Sequence, residues 1–587
     1  MKTKFILLLL CLSGQAFSQE FLNLDFEYTI HGVQKPQRWF VGGEGYTATM
    51  DSEIKHNGSY SLKIESNNPT QNQFAVCTGT FPPELVKGKE IEFSGWIRTK
   101  NVEEGYAGLW WRVDGTKGTL GFDNMHDRGI KGTNEWEKVS IKMKIDEKVT
   151  NINFGGLFVG HGTAWFDNFE VLMNGVKFND VNPRTYEPTP KEIAWLRKNI
   201  YPLRTCEPGG SMKDLEILKT LIGNAHMVAL GENTHGSGDI FKMKHRIIEY
   251  LRSTMGFNIF SIEANMPEAY KINDYVLRNT GDPVKLIKGM YFWTWSTTEV
   301  LNMVEWMNKY NASQDKIPFD MVERMHKYIA PQEKIIFTGF DMQTHQGSIR
   351  ELKEAFSDDA ATVEIIGKLN DILERVSNWR RNSLMSIIST EERKEVNEKL
   401  AYLRAKVTGS KKPADERIWL LQNIRIIEQS LDVSSRDKFM AENLMWISRQ
   451  NPESKIVVWA HNQHIQKTGP AMGKYLADNL KNDYLTIGFT FNKGRYTVGG
   501  LTSHIAQESY PGTYEYFFNA IKVPIFILDL RNVKKQNPAD GKWLTEQLDF
   551  RTVGATNGPE EFYRTNLSSA FDLIIFIDET KASVQLK

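Results

Sequence analysis

Two short histidine motifs follow apolar runs at widely separated places in the chain. Glu232 and His235 come directly after the run 227–230, and His461 and His464 follow a second run that ends at Trp459. Such runs are typical of buried strands in a parallel α/β sheet, where residues at the carboxyl ends of the strands meet in one crevice. The sequence therefore predicts a hydrolytic or metal centre built from two distant segments.

The first motif has the residue types needed to activate water. A carboxylate at Glu232 would fix the tautomer of His235 and raise its basicity, as a general base near neutral pH requires. We expect the pair in a glycine-flanked loop that opens a helix near Asp239, with both side chains on one helical turn. The simpler alternative is a helix cap formed by Asn233 or Thr234, beside a solvated Glu and His.

Carboxylates also stand at or just past the ends of other apolar runs. Glu263, Asp341 and Asp529 occupy such positions, as Glu232 does. A carboxylate at the end of a buried strand is costly unless it is paired, so Glu263 implies a nearby histidine or cation. We expect all of these residues, together with His461, to gather around one crevice.

The second histidine pair and a lysine complete the predicted site. His461 and His464 could bind substrate, stabilise a developing oxyanion or ligate a metal. Alternatively, His461 caps the strand and His464 only packs. Lys244 lies nine residues past His235 and has the length to reach back to an anionic group. The prediction is that His464, Lys244 and Asp341 bind substrate.

The elements that must position these residues can be predicted from apolar periodicity. Helical stretches such as 239–252 alternate with strand-like runs, which predicts an α/β fold with a mainly parallel sheet flanked by helices. Residues 351–450 lack strand signals and predict an inserted helical subdomain that walls one side of the pocket. The seven predicted strands are Met227–Leu230, Ile259–Ile262, Ile335–Gly339, Ile456–Trp459, Leu485–Ile487, Ile525–Leu528 and Leu573–Ile577.

The chain is long enough for more than one domain, and the pattern of its apolar residues changes once along the sequence. Residues 19–173 show short alternating runs separated by Gly, Asn and Asp, which predicts a separate N-terminal all-β sandwich. Three prolines fall close together in 174–190, which we interpret as a linker. The α/β domain then occupies 191–587.

The first residues resemble an export signal. Residues 1–18 contain two lysines, an apolar run and a small-residue cleavage site that ends at Ser18. The apolar run is too short for a membrane anchor, which needs about 20 apolar residues. A signal peptide implies a secreted or periplasmic protein with no transmembrane segment in the mature chain. Anchoring as a lipoprotein through Cys11 is the less favoured alternative.

Composition excludes some functions and disfavours covalent catalysis. The chain has 72 basic and 72 acidic residues, so nothing favours nucleic acid as a partner. No Gly-x-Ser-x-Gly elbow occurs, and Cys206 stands in a linker-like segment rather than after a strand. Cys77 and Cys206 are expected to be free or buried thiols. Attack by activated water is therefore preferred over an acyl-enzyme.

Several blocks, in order, resemble the erythromycin esterase family over about residues 190–587. The resemblance implies an α/β fold with an attached helical part, a small-molecule ester or lactone substrate, and catalysis without a metal or cofactor. It implies that His235 is the general base, that Glu232 and Glu263 orient it, and that His461 and His464 contact substrate or the oxyanion. The blocks are 228–236, Gly256-Phe257, 262–264, Phe292-Trp293 with Glu299 and Trp306, 339–341, Arg436-Asp437, 440–443, 460–464, Met472-Gly473 and Phe571-Asp572.

The N-terminal domain is similar to the jelly-roll carbohydrate-binding modules of secreted hydrolases. This resemblance implies a possible glycan partner, which would stack on an exposed aromatic ring. Trp110 and Trp111 are adjacent, so on a strand they face opposite sides and at most one is exposed. Glu27 and Asp167 could share a structural Ca²⁺. The alternative is that the tryptophans of this domain all belong to its core.

Three functions remain open at this level. The favoured one is a secreted esterase or lactone hydrolase that uses His-activated water. The second is a metal-dependent hydrolase in which the same cluster binds Zn²⁺ or Fe²⁺. The third is a non-catalytic surface protein that binds glycan.

Overall fold

The computed structural model describes residues 22–29, 35–67, 73–116, 118–178, 180, 187–314, 333–382, 388–499, 501–536, 538–556 and 561–587. The predicted signal peptide lies outside these residues. The chain divides into two compact units, 1–185 and 186–587. No helix in the described part of the chain is long and apolar enough to cross a membrane.

The N-terminal unit is a β-rich domain in which all strand pairs are antiparallel. Strands β5 and β8 have 26 and 25 residues and pair along most of their length. Their alternating apolar residues form an aromatic core that includes Trp111. The elements are β1 Phe40–Gly42, β2 Tyr46–Asp51, β3 Ser61–Ser66, β4 Phe74–Thr80, α1 Pro83–Val86, β5 Glu90–Gly115, β6 Gly118–Asp123, β7 Ile130–Lys144, β8 Val149–Met173 and β9 Val176–Lys177.

Two predictions for this domain can be compared with the structure. Glu27 and Asp167 each accept backbone N–H groups of the segment 56–60: Asp167 binds its first residues, and Glu27 binds Ser59 and Tyr60. Their carboxylate oxygens are thus used to hold this segment, which does not support the predicted shared Ca²⁺. Cys77, like Cys206 of the second unit, is buried and unbridged, as predicted.

The second unit is built on a sheet whose strands follow the order β10-β17-β20-β15-β11-β14-β12-β13. All seven predicted strands are present. The six strands from β20 to β13 in this order run parallel, whereas β17 is antiparallel to β20 and β10 to β17. The strands are β10 Ile200–Pro202, β11 Met227–Leu230, β12 Phe257–Asn265, β13 Ile336–Asp341, β14 Lys455–Trp459, β15 Tyr484–Val498, β16 Thr502–Ile505, β17 Ile525–Asp529, β18 Gln547–Arg551, β19 Phe562–Asn566 and β20 Leu573–Thr580.

The direction of β17 corrects one prediction. Asp529, its last residue, pairs with Leu573, the first residue of β20. It therefore lies at the opposite edge of the sheet from the carboxyl ends of the parallel strands, where it binds Arg531 at 2.9 Å. The expectation that Asp529 joins the crevice is wrong, because a strand's place and direction in a sheet are not encoded in its own apolar pattern.

Helices cover both faces of this sheet. Along β11, Val228 and Leu230 belong to one core, and Met227 and Ala229 belong to the other, which explains the uninterrupted apolar run. The helices are α2 Pro190–Asn199, α3 Ile217–Ile222, α4 Gly238–Met255, α5 Met266–Tyr270, α6 Asn273–Arg278, α7 Pro283–Lys288, α8 Thr298–Ser313, α9 Gln346–Ala355, α10 Ala360–Asn382, α11 Thr390–Thr408, α12 Ala414–Ser430, α13 Arg436–Gln450, α14 Asn462–Ile465, α15 Met472–Leu480, α16 Tyr514–Ala520, α17 Leu530–Gln536 and α18 Leu567–Ala570.

The helices α9–α13 lie between β13 and β14, in the region predicted to be an inserted helical subdomain. Helices α9–α12 enclose a mainly aliphatic core of their own, which includes Leu352, Leu369, Leu403 and Ile424. The last helix of the region, α13, begins at Arg436 and packs on β13, so its first turn is brought to the sheet edge.

Candidate active site

The loop 231–237 connects β11 to α4 and carries Glu232 and His235. Two glycines let it pass close to neighbouring segments: a Cβ at Gly231 would lie 2.0 Å from Asn462 Oδ1, and one at Gly236 would lie 1.9 Å from the Thr497 carbonyl oxygen. The loop is thus held against α14 and β15, and side chains larger than hydrogen are excluded at these two positions.

The local geometry differs from the prediction in one respect. Helix α4 begins at Gly238, and its cap is Ser237, whose hydroxyl accepts from the Ile240 N–H. Glu232 and His235 therefore lie in the loop itself and not on a helical turn, and neither Asn233 nor Thr234 forms the cap. The predicted contact is nevertheless made, since His235 Nδ1 is 3.0 Å from Glu232 Oε1.

Glu232 also binds a lysine that is completely buried, and burial lowers the pKa of its amino group well below the usual value. Its Oε2 accepts from Lys244 Nζ, and neither side chain has any exposed surface. Lys244 Nζ lies 4.4 Å from the centre of the Trp459 ring. Because it is enclosed behind Glu232, Lys244 cannot contact a substrate in this structure, and the prediction that it binds substrate is wrong. Its position instead holds the carboxylate that orients His235.

His235 is a neutral ring whose basicity is lowered by burial, contrary to the prediction that Glu232 raises it. Burial lowers its pKa to about 4, although the Glu263 carboxylate acts in the opposite direction. The Trp295 ring packs edge-on at a centroid distance of 5.6 Å. With Nδ1–H donating to Glu232, the lone pair of the neutral ring is on Nε2. This nitrogen is therefore able to take a proton from water.

Glu263 lies at the end of β12 and is paired with an arginine from α13. Its Oε1 accepts from Arg436 Nη2 at 2.7 Å, and its Oε2 accepts from the His461 backbone N–H at 3.0 Å. The same guanidinium binds Asp341, at 3.1 Å through Nε and at 2.7 Å through Nη2. The cation implied by the position of Glu263 is therefore Arg436.

Asp341 is present at the sheet edge but does not have the role predicted for it. Its side chain is completely buried, and its oxygens accept from Arg436 and from the Gln343 side-chain amide. A direct contact with substrate is incompatible with that burial. Asp341 instead fixes the guanidinium that holds Glu263.

His464 forms a charged cluster with two carboxylates. Its Nδ1 lies 2.8 Å from Asp437 Oδ1, and its Nε2 lies 3.4 Å from Glu263 Oε1. Burial and the guanidinium of Arg436 both lower the pKa of His464. The carboxylates of Glu263 and Asp437 have the larger combined effect and raise this pKa to about 10. The raised pKa favours an imidazolium at neutral pH, although Arg436 Nη1, which is itself a donor, lies 3.1 Å from the same Nε2; the ring is partly exposed at the site.

His461 differs from His464 in both charge and hydrogen bonding. It is the cap residue of α14, and its Nδ1 accepts from the Gln463 N–H at 3.2 Å. Burial lowers its pKa well below the ordinary value, with a further decrease from His235 and His464, so the ring is neutral. Its proton is then on Nε2, which is buried and lacks a well-formed hydrogen bond within the described residues, although a backbone hydrogen bond to Asn233 opposes part of the decrease in pKa. Its ring centre is 5.1 Å from that of His235.

Comparison with known proteins supports the assignment of this site to one family. A sequence profile described as erythromycin esterase matches residues 253–580, more than half of the chain. The chain belongs to the erythromycin esterase family. Its relatives include a putative hydrolase, YbfO, of Bacillus subtilis (strain 168), which is 24% identical over 439 residues that cover 67% of this chain and 92% of that protein.

Further relatives of this erythromycin esterase family member extend over the same region. Erythromycin esterase type II of Escherichia coli is 22% identical over 443 residues, covering 66% of this chain and 98% of that protein. The crystal structure of a Bacillus cereus protein, at 26% identity, superposes with a TM-score of 0.57 and covers 68% of this chain and 100% of its own. The protein is thus an erythromycin esterase-like hydrolase by family.

Sequence reasoning assigned no role to three residues of this family site. Arg436 and Asp437 begin α13, far in sequence from Glu263 and His464, and Trp295 stands in the loop before α8. The family resemblance includes Arg436 and Asp437 but implies no role for them. One signal could have identified Arg436 and Asp437. They form an Arg-Asp pair at the start of a helix, in a domain whose buried strands end in carboxylates that need a cation.

The same cluster must be considered as a metal site. Glu232, His235 and Glu263 each offer one atom that could ligate a metal, and these three atoms lie within 4.8 Å of one another. Each of their four carboxylate oxygens, however, already accepts a hydrogen bond or ion pair, from His235 Nδ1, Lys244, Arg436 and the His461 N–H. A metal would have to share these oxygens with the present donors, and the guanidinium of Arg436, which binds Glu263 at 2.7 Å, would repel a second cation there, so the donor set does not favour a metal centre.

Chelation provides a direct test of this conclusion. We expect dialysis against EDTA to leave hydrolytic activity within about twofold of its starting value, because the proposed base and donors are nitrogen groups of the protein. Elemental analysis of the dialysed protein is the control that any metal has left. Loss of activity that added Zn²⁺ or Fe²⁺ restores would establish the metal-dependent alternative.

The depressed pKa of His235 predicts the acid limb of the pH profile. Only the deprotonated ring can accept a proton, so kcat/KM should be constant near neutrality and fall as the pH drops through about 4. The measurement is kcat/KM in buffers of constant ionic strength on protein shown to be folded at each pH. A limb centred near the ordinary histidine value of about 6.5 would contradict this description of the site.

Proposed function

We propose that the second domain hydrolyses a small-molecule carboxylic ester or lactone with water activated by His235. The observation that carries this proposal is a pair of neutral rings whose centres are 5.1 Å apart: His235, held by Glu232 through Nδ1, and His461, whose Nδ1 accepts the Gln463 N–H so that its proton is on Nε2. One ring offers a lone pair and the other a proton donor. Ester hydrolysis requires one of each, for the attacking water and for the carbonyl oxygen.

The reaction follows from these two roles. Water attacks the ester carbonyl carbon while His235 Nε2 removes its proton, and the carbonyl oxygen becomes an oxyanion that accepts from His461 Nε2–H. The carbon–oxygen bond to the alcohol then breaks, and the imidazolium of His235 returns the proton to the departing alkoxide. The products are one carboxylic acid and one alcohol, or one hydroxy acid from a lactone.

His464 and Arg436 supply positive charge beside the reacting atoms. His464 and Arg436 are both partly exposed, with 18% and 22% of their side chains accessible, so either cation can meet substrate. Arg436 holds Glu263, and Glu263 in turn accepts the backbone N–H of His461. Through these two contacts the guanidinium of Arg436 keeps His461, the proposed oxyanion donor, in place.

A substrate panel tests the proposal. Macrolides, simple aryl esters and acylated sugars are incubated with the full-length protein, and products are identified by mass spectrometry through the gain of one water. Hydrolysis of at least one class is the expected result. No turnover of any class by protein that is folded and free of inhibitor would refute the proposal.

N-terminal sequencing of exported protein, with Gln19 expected first, tests the proposed signal peptide.

A second candidate function concerns the N-terminal domain, where we infer a glycan-binding face. Trp111 is fully buried, whereas Trp110 lies on the opposite side of β5 and is half-buried, in agreement with the predicted alternation. Pairing of strands places Trp110, Gly155, Thr78 and Phe40 in one row across β5, β8, β4 and β1. Phe40 is 65% exposed. Aromatic rings beside hydroxyl groups are suited to stacking on a sugar ring.

Substitution of one ring tests the glycan proposal. Trp110→Ala should weaken binding of the full-length protein to an insoluble polysaccharide by about tenfold, since loss of a stacking ring costs about 1–2 kcal/mol. The measurement is depletion from solution across xylan, cellulose and mannan. Tyr475→Ala, which removes an exposed ring from the other domain, is the matched control. Equal binding by Trp110→Ala and the parent would remove the support for this face.

A further inference from the structure

The end of the chain crosses two loops that carry residues of the proposed site. Residues 581–586 follow β20 and are here named the C-terminal strap. On one side, the strap pairs with the start of α4: Gly238 N–H donates to the Lys581 carbonyl at 2.8 Å, and Ser583 N–H donates to the Gly236 carbonyl at 2.8 Å. Gly236 immediately follows His235. The strap thus binds the backbone next to the proposed base.

On its other side, the strap pairs with the loop that precedes α8. Thr298 N–H donates to the Val584 carbonyl at 2.7 Å, and Leu586 N–H donates to the Ser296 carbonyl at 2.9 Å. Ser296 immediately follows Trp295. The strap therefore lies between two segments that are about 60 residues apart in sequence and hydrogen-bonds to both.

Trp295 links this second loop to the site itself. Its ring meets that of His235 at 87° and a centroid distance of 5.6 Å. Its Nε1–H donates to the Glu263 carbonyl at 2.9 Å, and the residue is 1% exposed. The distance between the two loops thus determines how the indole packs on the imidazole.

A buried carboxylate fixes the middle of the strap. Glu299, in the first turn of α8, is 6% exposed, and its Oε2 accepts the Val584 N–H at 3.2 Å. Val584 directs its own side chain outward, with 58% of the residue exposed. The contact is therefore made through the backbone, and the strap is held without using the Val584 side chain.

We propose that the C-terminal strap is a positioning element for His235, because it joins the His235 loop to the Trp295 loop and so sets the orientation of the proposed base. This inference rests on the proposed function for its kinetic consequence, but the structural link can be measured without any substrate. No residue of the strap touches the reacting atoms. Its effect is expected in the rate of the chemical step, and not in substrate binding.

Two variants of the full-length protein test the strap. Ser583→Pro removes the N–H that bonds Gly236, and Glu299→Ala removes the acceptor for Val584. Each should lower kcat by about 10- to 100-fold, the scale expected when a reacting group is misplaced by about 1 Å, while KM stays within about threefold. Hydrogen exchange followed by mass spectrometry should show peptides covering 232–238 exchanging at least about tenfold faster.

Control variants separate positioning from general destabilisation. Val584→Ala keeps the strap backbone and should match the parent in kcat and exchange. Glu299→Gln keeps an acceptor oxygen and should recover most of the kcat lost in Glu299→Ala. If exchange in 232–238 is unchanged in both test variants, or if it rises while kcat stays within twofold, the inference is overturned. A parent that turns over no ester refutes the proposed function alone, and the exchange result then decides the strap.

Discussion

The variant His235→Gln is expected to lower kcat/KM for ester hydrolysis by about 10²–10⁴-fold, the range typical for loss of a general base. Glutamine can still hydrogen-bond to Glu232, so the loop should keep its position, but it cannot take a proton from water. Turnover is measured by product formation with excess substrate, on protein whose circular dichroism matches the parent.

The chain contains a closely matched control for this experiment. His226 Nδ1 lies 3.2 Å from Asp483 Oδ1, which is also a histidine–carboxylate pair, but 56% of its side chain is exposed. His226→Gln should leave kcat/KM within about twofold of the parent, since surface pairs of this kind contribute little. If His235→Gln behaved like His226→Gln, His235 would not be the base, and the site would need another group to activate water.

Removal of Arg436 should have the largest effect on stability. Arg436→Ala leaves the carboxylates of Glu263 and Asp341 in a buried region without their shared cation. Breaking a buried ion pair in this way costs about 3–5 kcal/mol of unfolding free energy. Urea denaturation followed by circular dichroism measures the change, and kcat/KM of the folded fraction should also fall because the His461 N–H loses a fixed acceptor.

Arg425 is the matched control for the stability experiment. It also binds two carboxylates, Glu442 at 2.7 Å and Glu428 at 3.2 Å, but its side chain is 35% exposed. Solvent screening should limit the cost of Arg425→Ala to about 1 kcal/mol or less. An equal decrease in unfolding free energy for the two variants would mean that the Glu263–Arg436–Asp341 cluster is solvated in solution. The cluster would then not stabilise the fold by the amount expected of a buried ion pair.

Much of the site was predictable because its elements are local. The run 227–230 identifies a strand buried on both faces, and the glycines around Glu232 and His235 identify a tight loop after it. A three-residue spacing brings the carboxylate within reach of the imidazole in a helical turn, and it does so here in a tight loop. For the same reason the predicted pairing of these two residues is present, although the predicted helical turn is not.

Partners from remote segments were predicted less well. Glu263 was expected to have a cation, but the sequence does not show that Arg436, 173 residues later, is that cation. Lys244 and Asp341 were assigned to substrate, whereas burial makes them the supports of Glu232 and Arg436. Each error has one cause: a side chain's type can be read in the sequence, but its depth below the surface depends on which elements pack above it.

The strands, the glycine-flanked loop and the types of group in the proposed site can be derived from the sequence, because they depend on periodicity and on spacing within a few residues. The direction of β17, which removes Asp529 from the site, and the tautomer of His461, which depends on the Gln463 N–H, follow from tertiary packing. It also decided that the last residues bind the His235 loop. These features follow from the order and direction of packed elements, which arise from the combined burial of the whole domain and from no single segment.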